Sequence, residues 1–373
     1  MSEYQYYEFR AIDRPLTEAQ KSKISALSSR AHVTSHTASF VYNYGDFRGN
    51  PEQLMSDYFD AMVYMSNWGS RRLMFRIPLS LIDTKKLGRY CISEEINARE
   101  TKQGVVLDMN FHDEELADWT EGEGWLDELV EMRAELIRGD SRVLYLAWLK
   151  AAENALRAED IDDDTLEPPV PPGLNQLSGA QNVFVRFLEI DEAMLVVAAQ
   201  KSEEQKEDHL QLENWVEKLS IEEQHEFLRR LSRGEPNLSV LMNRRLHELA
   251  NKTQCSADGG GIGQRTIAGL IQAAEEWRSR KQEDERRKEE LARKRRLEEF
   301  AVKENDAWQQ VEILINEKKP KSYDSAIGLL KELRELAEYQ GRLEGFKKRV
   351  AEIQQTYSNR PALRDRILHA SLI

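Results

Sequence analysis

The sequence predicts an α+β protein, in which an N-terminal domain of mixed strands and helices precedes an all-α region with a helical hairpin and a long charged helix. Two observations lead to this class. Several short runs over residues 4–111 have the composition and spacing of strands, with helical segments between them. Beyond Trp125 apolar residues recur every three or four positions, which is typical of amphipathic helices. A chain of 373 residues is long enough for two or three domains.

The first elements follow from short local signals. Residues 4–12 are rich in aromatic side chains with a partial period of two and predict a strand, and residues 38–44 predict a second one. Between them, Thr17 and Gln20 fit a capping box, which predicts a helix over residues 18–29. Strands that alternate with helices indicate a layered domain rather than a helix bundle.

A second helix is predicted to begin at Pro51, because Asn50 is a favoured cap and proline suits the first helical turn. Apolar side chains then follow at helical spacing as far as Trp68. They are Leu54, Met55, Tyr58, Phe59, Met62 and Met65. One continuous helix is therefore expected over this stretch.

The remaining elements complete the N-terminal domain. Residues 71–77 predict a third strand, and residues 92–98 and 105–111 flank a turn-like segment and predict a hairpin that extends the sheet. The spacing becomes helical from Trp125 onward. The first domain is therefore predicted to cover residues 1–158.

Composition divides the rest of the chain. Residues 159–175 hold four of the ten prolines and a run of acids, and they are predicted to form a linker between domains. A helical domain is expected over residues 176–257. A long charged helix is expected over residues 264–318, and a C-terminal helical hairpin over residues 319–373.

The charge is unevenly distributed. The chain holds 53 Lys and Arg against 66 Asp and Glu, a formal net charge of −13. Residues 94–167 alone contain 22 acidic and 7 basic side chains. An acidic segment repels phosphate backbones, so nucleic-acid contact is disfavoured there and remains open for the basic residues 278–304.

No catalytic motif, cofactor motif or metal-ligand pattern is identified. The glycine cluster at residues 258–263 is followed by Gln264 where a phosphate-binding loop requires lysine, and it is predicted to be a loop between helices. His32 and His36 stand four apart, but the residues between them suit a loop or the start of a strand rather than a metal-binding helix. An enzyme is therefore disfavoured.

An unfamiliar catalytic centre in the N-terminal domain remains an alternative. It would be expected near Asp46, Asp108 and His112, if these groups surround a pocket. Two cysteines, Cys91 and Cys255, are too few for a disulfide framework. No secretory signal and no apolar run of membrane-spanning length are present, so a cytoplasmic protein is expected.

The predicted sheet offers a nucleic-acid alternative of its own. If Tyr6, Tyr42, Tyr44, Arg72 and Arg76 shared an exposed face, bases could stack on the rings while arginines contact phosphates. The alternative is that helices cover both faces of the sheet and the aromatic side chains belong to the core. The second interpretation is preferred.

The densest basic run lies on the predicted long helix and consists of Arg293, Lys294, Arg295 and Arg296. Such a run suits phosphate contacts and makes nucleic-acid binding the alternative function. Acidic residues precede several of these bases by four positions, as in the pair Glu289 and Arg293. Pairs of this kind stabilise an exposed helix, so a structural spacer is preferred.

The C-terminal region contains one helical hairpin that resembles a tetratricopeptide unit. An aromatic anchor, Trp308, lies on the first helix, Tyr323 follows the turn, and Ala326 and Leu330 succeed it on the second helix. Only one copy is visible, so an array of repeats is not predicted. A docking site for a protein partner is predicted there, and its expected contact residues are Trp308, Tyr323, Leu330, Tyr339 and Phe346.

The whole chain also resembles a family of uncharacterised bacterial proteins. The resemblance rests on residues 6–16, on Gly139–Asp140 with residues 144–149, and on residues 168–173. The tail, from Tyr323 to Leu368, is similar to the end of bacterial SWIM zinc-finger proteins, although this chain lacks the cysteines and paired histidines of the finger. The resemblance implies an accessory protein that accompanies a SWIM zinc-finger protein. A non-enzymatic, cytoplasmic protein-interaction subunit of a bacterial complex is therefore the preferred function.

Overall fold

A computed structural model gives the architecture of most of the chain. It describes residues 4–113, 122–157, 162, 164–204, 213–234, 238, 239, 241–243, 245, 246, 249 and 265–372. The chain divides into two compact units, Met1–Arg278 and Ser279–Ile373. The predicted α+β class is confirmed, since an N-terminal sheet is followed by many helices.

The first unit contains one antiparallel sheet of seven strands. The strands are β1 (Gln5–Arg10), β2 (His32–Val33), β3 (Thr37–Tyr42), β4 (Ala61–Ser66), β5 (Ser70–Ile77), β6 (Ile96–Thr101) and β7 (Gly104–His112). Their order across the sheet is β2-β3-β1-β4-β5-β7-β6. The predicted hairpin is confirmed as β6 and β7, which pair in register from Ile96 opposite Met109 to Thr101 opposite Gly104.

The described part of the first unit also contains helices around this sheet. They are α1 (Glu18–Ser25), α2 (Pro51–Asp57), α3 (Thr84–Gly88), α4 (Trp125–Leu129), α5 (Glu131–Ile137), α6 (Arg142–Arg157), α7 (Gly179–Leu188), α8 (Glu192–Ala199), α9 (Glu213–Val216) and α10 (Ile221–Ser232). The capping box of α1 forms as predicted, with the N–H of Gln20 donating to the Thr17 hydroxyl.

The single helix predicted from Pro51 to Trp68 is wrong. Helix α2 ends at Asp57, and the following residues form β4, which lies between β1 and β5 in the sheet. A central strand buried on both faces is apolar at nearly every position, so its side chains also match a helical spacing. In β4, Met62 belongs to the core on one face of the sheet and Val63 to the core on the other.

Helices cover both faces of the sheet. Phe9 and Phe40 face a core that includes residues of α1 and α2, whereas Phe75 and Leu107 face a larger core that includes residues of α4 to α8. The base-stacking alternative is therefore wrong, and the preferred interpretation, in which helices cover both faces of the sheet, is confirmed. Of its five residues, Tyr6, Tyr42 and Arg76 are buried and Arg72 is ion-paired, so that only Tyr44 is well exposed.

The stretch 159–175 does not separate two compact units. Leu166 forms an antiparallel bridge with Thr266, and the backbone N–H of Glu167 donates to the carbonyl of Arg265 at 2.9 Å. The carbonyl of Pro171 accepts a hydrogen bond from the Ser202 hydroxyl at 2.7 Å. The described residues of this stretch thus pack within the first unit, and its core continues to Ala274.

The second unit is entirely helical in its described part. Its helices are α11 (Ile267–Val302), which begins in the first unit, α12 (Glu304–Asn316), α13 (Pro320–Tyr339), α14 (Leu343–Thr356) and α15 (Pro361–His369). The observed helix α11 is therefore shorter than the long helix predicted over residues 264–318. It ends before Lys303, because the ψ of 11° at that residue lies outside the helical region. The expected C-terminal hairpin consists of three helices, α13 to α15.

None of the described helices has both the length and the apolar character needed to cross a bilayer.

Candidate interaction surfaces

The residues predicted to contact a partner are mostly core residues of the second unit. Trp308, Tyr323, Leu330 and Phe346 are between 0% and 7% exposed and belong to one hydrophobic cluster. These four side chains are therefore core residues of the second unit rather than surface residues. Tyr339, at the end of α13, is 46% exposed and is the single member of the set that reaches the surface.

The burial has a simple physical origin. Helices α12 and α13 pack against each other, and the ring of Trp308 lies 5.7 Å from that of Phe346 on α14. The guanidinium of Arg349 covers the Trp308 ring at 4.2 Å from its centroid, as a cation–π pair. Anchors at helical spacing therefore hold the helices of this unit together.

The basic run on α11 is exposed, as a nucleic-acid contact would require, but part of it is engaged within the unit. Nε of Arg293 lies 2.7 Å from a carboxylate oxygen of Glu335 on α13, and Arg296 binds the other oxygen. Lys294 lies 3.9 Å from Glu298. Among the residues that the structure describes, no acid pairs with Arg295.

The suggested catalytic groups do not converge. Asp46 is exposed on a loop, whereas Asp108 on β7 forms a fork with Arg72 at 2.8 and 2.5 Å. His112 lies at the end of β7, and its Nδ1 lies 3.3 Å from the hydroxyl oxygen of Ser70. Within the described part of the chain, no three His, Cys, Asp or Glu side chains are placed to hold a metal ion.

Neither of the two histidines considered as metal ligands belongs to a helix. His32 lies on β2, and His36 lies in the turn before β3. Cys91 is half-buried, and burial raises the pKa of its thiol, which disfavours the nucleophilic thiolate. Cys255 and the glycine cluster at residues 258–263 lie outside the described residues.

A buried ionic cluster that the sequence did not suggest surrounds Lys150 on α6. Its Nζ lies 2.7 Å from Asp113 and 3.8 Å from Glu153, and its side chain is 3% exposed. Nearby, Oε1 of Glu95 accepts a hydrogen bond from the Asn154 amide at 2.7 Å. Burial raises the pKa of both Glu95 and Glu153. The buried charge of Lys150 is paired with acidic side chains inside the fold, which fits a structural role.

Helix α10 has a different character from the other helices of the first unit. A capping box starts it, with the N–H of Glu223 donating to the Ser220 hydroxyl at 3.2 Å and the N–H of Ser220 donating to Glu223 at 3.1 Å. Glu222 and Glu223 lie in its first turn and Arg229 and Arg230 in its last turn, which matches the helix dipole. Local chemistry alone therefore favours this helix.

The start of α10 is attached to the first unit. Leu219, directly before the helix, is buried, and the amide of Gln224 donates to the Leu219 carbonyl at 3.0 Å. Nε of Arg245 lies 2.9 Å from Oε1 of Glu223. The hydrogen bond to the backbone at Ser220, and then the Arg245 contact, lower the pKa of the Glu223 carboxyl, so it is ionised at neutral pH.

An apolar surface runs along α10. Ile221, Leu228 and Leu231 are 67%, 62% and 63% exposed, Phe227 is half-buried, and no residue of the helix is buried. At 100° per residue these four side chains fall within about 120° of the helix circumference. We call them the α10 apolar face. The Arg230 guanidinium lies over the Phe227 ring, 5.7 Å from its centroid, whereas Ile221, Leu228 and Leu231 stay largely exposed.

The helical domain predicted over residues 176–257 includes this helix, but its exposed face was not predicted. An amphipathic pattern normally indicates a helix whose apolar side packs on the core. The sequence signal is the same in both situations, because only the position of the surrounding elements decides whether the stripe is covered.

Comparisons with protein-family models, with curated proteins and with solved structures found no match.

Proposed function

We propose that this chain is a non-enzymatic accessory protein that binds a protein partner through the α10 apolar face. The observation that carries the proposal is the exposure of Ile221, Leu228 and Leu231, each above 60%. Isolated exposed apolar side chains are common, but a contiguous row on one helix is typical of a protein–protein contact. Burying such a row against a partner removes apolar surface from water and favours association.

The partner to test first follows from the resemblance stated above. A SWIM zinc-finger protein of the bacterial cytoplasm is the proposed partner, with this chain as its accessory subunit. The contact differs from the one expected from sequence, since it lies on α10 rather than on the C-terminal helices.

The proposal is tested with a photo-crosslinking amino acid in place of Leu228, in the full chain expressed in its host. We expect a crosslink to the SWIM zinc-finger protein. We also expect the double variant Leu228→Glu and Leu231→Glu to lose co-purification of that protein, because charges on the face cannot be buried without partners. The matched control is Leu291→Glu, which alters a leucine that is 52% exposed on α11.

Two results would contradict the proposal. One is retention of every partner by the double variant when circular dichroism shows an unchanged fold. The other is a crosslink from position 228 to a second copy of this chain, which would make the face a self-association surface.

A second candidate function is nucleic-acid binding through Arg293, Lys294, Arg295 and Arg296. All four side chains are exposed, and the second unit carries more basic than acidic residues, 22 against 18 over residues 279–373. Lys294 and Arg295 are the two that Glu335 does not engage. These two are therefore the proposed phosphate contacts.

The test is fluorescence anisotropy with a labelled 20-nucleotide duplex at several salt concentrations. Replacing both Lys294 and Arg295 with Glu removes two phosphate contacts. Because each contact contributes about 0.9 to the slope of log affinity against log salt, the magnitude of this slope should fall by roughly 2. Glu335→Gln should tighten binding, because it frees Arg293 and Arg296. A Lys318→Glu and Lys319→Glu variant serves as the control, and absence of binding by the unaltered protein at low salt removes this candidate.

A further inference from the structure

A cleft in the first unit lies apart from the α10 apolar face and has the size of a small-molecule site. Its volume is about 670 Å³, and pockets that bind small ligands have volumes of roughly 300–1,000 Å³. The walls come from the segment around α3 and from the turn that joins α5 to α6. Ser239 and Asn243 complete the lining.

The inner wall of the cleft is apolar. Five of its side chains are buried and aliphatic. They are Leu81, Leu87, Leu136, Ile137 and Leu144. A ligand that contacts this wall removes apolar surface from water, so the body of the ligand should itself be apolar.

The rim carries four ionised side chains, and its two carboxylates are already occupied. Asp83 accepts hydrogen bonds from the backbone N–H groups of Lys85 and Lys86 at the start of α3. Asp140 is held by the Arg142 guanidinium, at 2.7 Å to Nη2, and by the Gln181 amide at 3.1 Å. Both carboxylates thus already accept hydrogen bonds within the fold, and Asp140 is also ion-paired with Arg142.

The two rim cations are in the opposite situation. Lys86 and Arg138 are exposed and line the cleft, and no described acidic side chain pairs with either of them. Two cations and two carboxylates therefore line this rim. A free anionic group on a ligand would meet unpaired positive charge there.

We propose that this cleft binds a small amphiphilic carboxylate, with its apolar chain against the aliphatic wall and its carboxylate between Lys86 and Arg138. Arginine and lysine donate charge-assisted hydrogen bonds to a carboxylate and give the ligand its direction. The proposal does not depend on the partner assigned to α10, because the two sites share no residue.

Isothermal titration with decanoate as the probe tests the proposal on the full chain. Decanoate should bind, hexanoate should bind at least tenfold more weakly because it buries fewer methylene groups, and decanol and decyltrimethylammonium should bind more weakly than decanoate. The double variant Lys86→Glu and Arg138→Glu should weaken decanoate binding by about tenfold, equivalent to 1.4 kcal/mol. Lys85→Glu, an exposed neighbour outside the lining, is the matched control.

A second variant separates the cleft from a general effect of charge. Ile82 lines the cleft and is half-buried, so Ile82→Trp narrows the opening and should weaken binding while the thermal unfolding midpoint stays unchanged. Equal binding of decanol or of the cationic amphiphile would overturn the proposal. So would tighter binding of an apolar peptide with a free carboxyl terminus, which would assign the cleft to a protein segment.

Discussion

Asp60, directly before β4, is fully buried and accepts four hydrogen bonds. One carboxylate oxygen accepts hydrogen bonds from the backbone N–H groups of Ile12 and Asp13, at 2.6 and 2.9 Å. The other oxygen accepts hydrogen bonds from Nη2 and Nε of Arg76, at 2.6 and 3.2 Å. Arg133 lies 3.9 Å away and pairs with Asp13. Two carboxylates thus balance two guanidinium groups inside the fold.

Replacing Asp60 with Asn should destabilise the protein strongly. The change leaves Arg76 buried without its counter-ion, and breaking a buried pair in this way costs about 3–5 kcal/mol. Urea unfolding monitored by circular dichroism measures the loss. Asp46→Asn, at an exposed position, is the control and should change the free energy of unfolding by less than about 0.5 kcal/mol. A small effect at Asp60 would show that the network contributes little to stability.

Glu95 provides a pH-dependent contribution to stability. Burial raises the pKa of this carboxyl, even though Asn154 and Ser93 donate hydrogen bonds that favour its ionised form. The folded protein therefore keeps a proton on Glu95 at pH values where the unfolded chain has lost it. The folded state binds more protons than the unfolded chain in this range. The contribution of Glu95 to stability therefore falls as pH rises above the ordinary pKa of a glutamate side chain.

The prediction concerns the free energy of unfolding of the unaltered protein minus that of Glu95→Gln. This difference should decrease as pH rises from about 4 to about 7, because glutamine removes the titration and leaves other groups unchanged. Urea unfolding at several pH values measures it. The control is Glu94→Gln, which makes the same substitution at the exposed neighbouring position. A difference at Glu95 that increases with pH would contradict the assigned direction.

At the scale of elements, α7 and α10 form a natural comparison. Both begin with a serine capping box, at Ser178 and at Ser220. Helix α7 buries Val183, Phe184 and other side chains in the core, whereas α10 buries none. The same local signal therefore starts a helix that supports the fold and a helix that supplies a surface.

The two caps should have different consequences when they are removed. Ser178→Ala should lower the free energy of global unfolding by about 1 kcal/mol. Ser220→Ala should leave global unfolding unchanged and should increase amide hydrogen exchange over residues 221–226, because α10 opens without disturbing the core. Hydrogen exchange read by mass spectrometry measures both variants. Equal effects on global stability would place α10 in the cooperative core.

The whole molecule consists of two units, each with a hydrophobic core of its own. Their charges also differ. Residues 279–373 carry a net charge of +4. Because the whole chain carries −13, residues 1–278 carry −17. The acidic character of the protein belongs to the first unit, which is why the basic run of α11 remains the proposed position for any phosphate contact.

Separate cores predict separate thermal transitions. Leu330→Ala removes a side chain that is 0% exposed in the second unit, and Leu149→Ala does the same in the first unit. Each should cost about 2–5 kcal/mol in its own unit, since a cavity remains. Differential scanning calorimetry should show one transition lowered by each variant and the other unmoved. If both variants lower a single shared transition, the units unfold cooperatively.

Local rules were sufficient for much of the fold. The capping box at Thr17, the cap at Asn50 and the β6–β7 hairpin all depend on neighbouring residues, and each was predicted. Strand β4 was not, because its burial on two faces comes from β1 and β5, which lie elsewhere in the sequence. The candidate surfaces depended on such distant packing even more strongly.

The sequence by itself determined the α+β class, the starts of α1 and α2 and the position of the basic run, because propensity, capping and charge are properties of neighbouring residues. Only the tertiary structure decided that Trp308 is a core residue, that Glu167 fastens its segment to Arg265, and that the α10 apolar face is exposed. An apolar stripe looks the same in the sequence whether it is covered or not. Its environment is set by contacts between residues far apart in the chain.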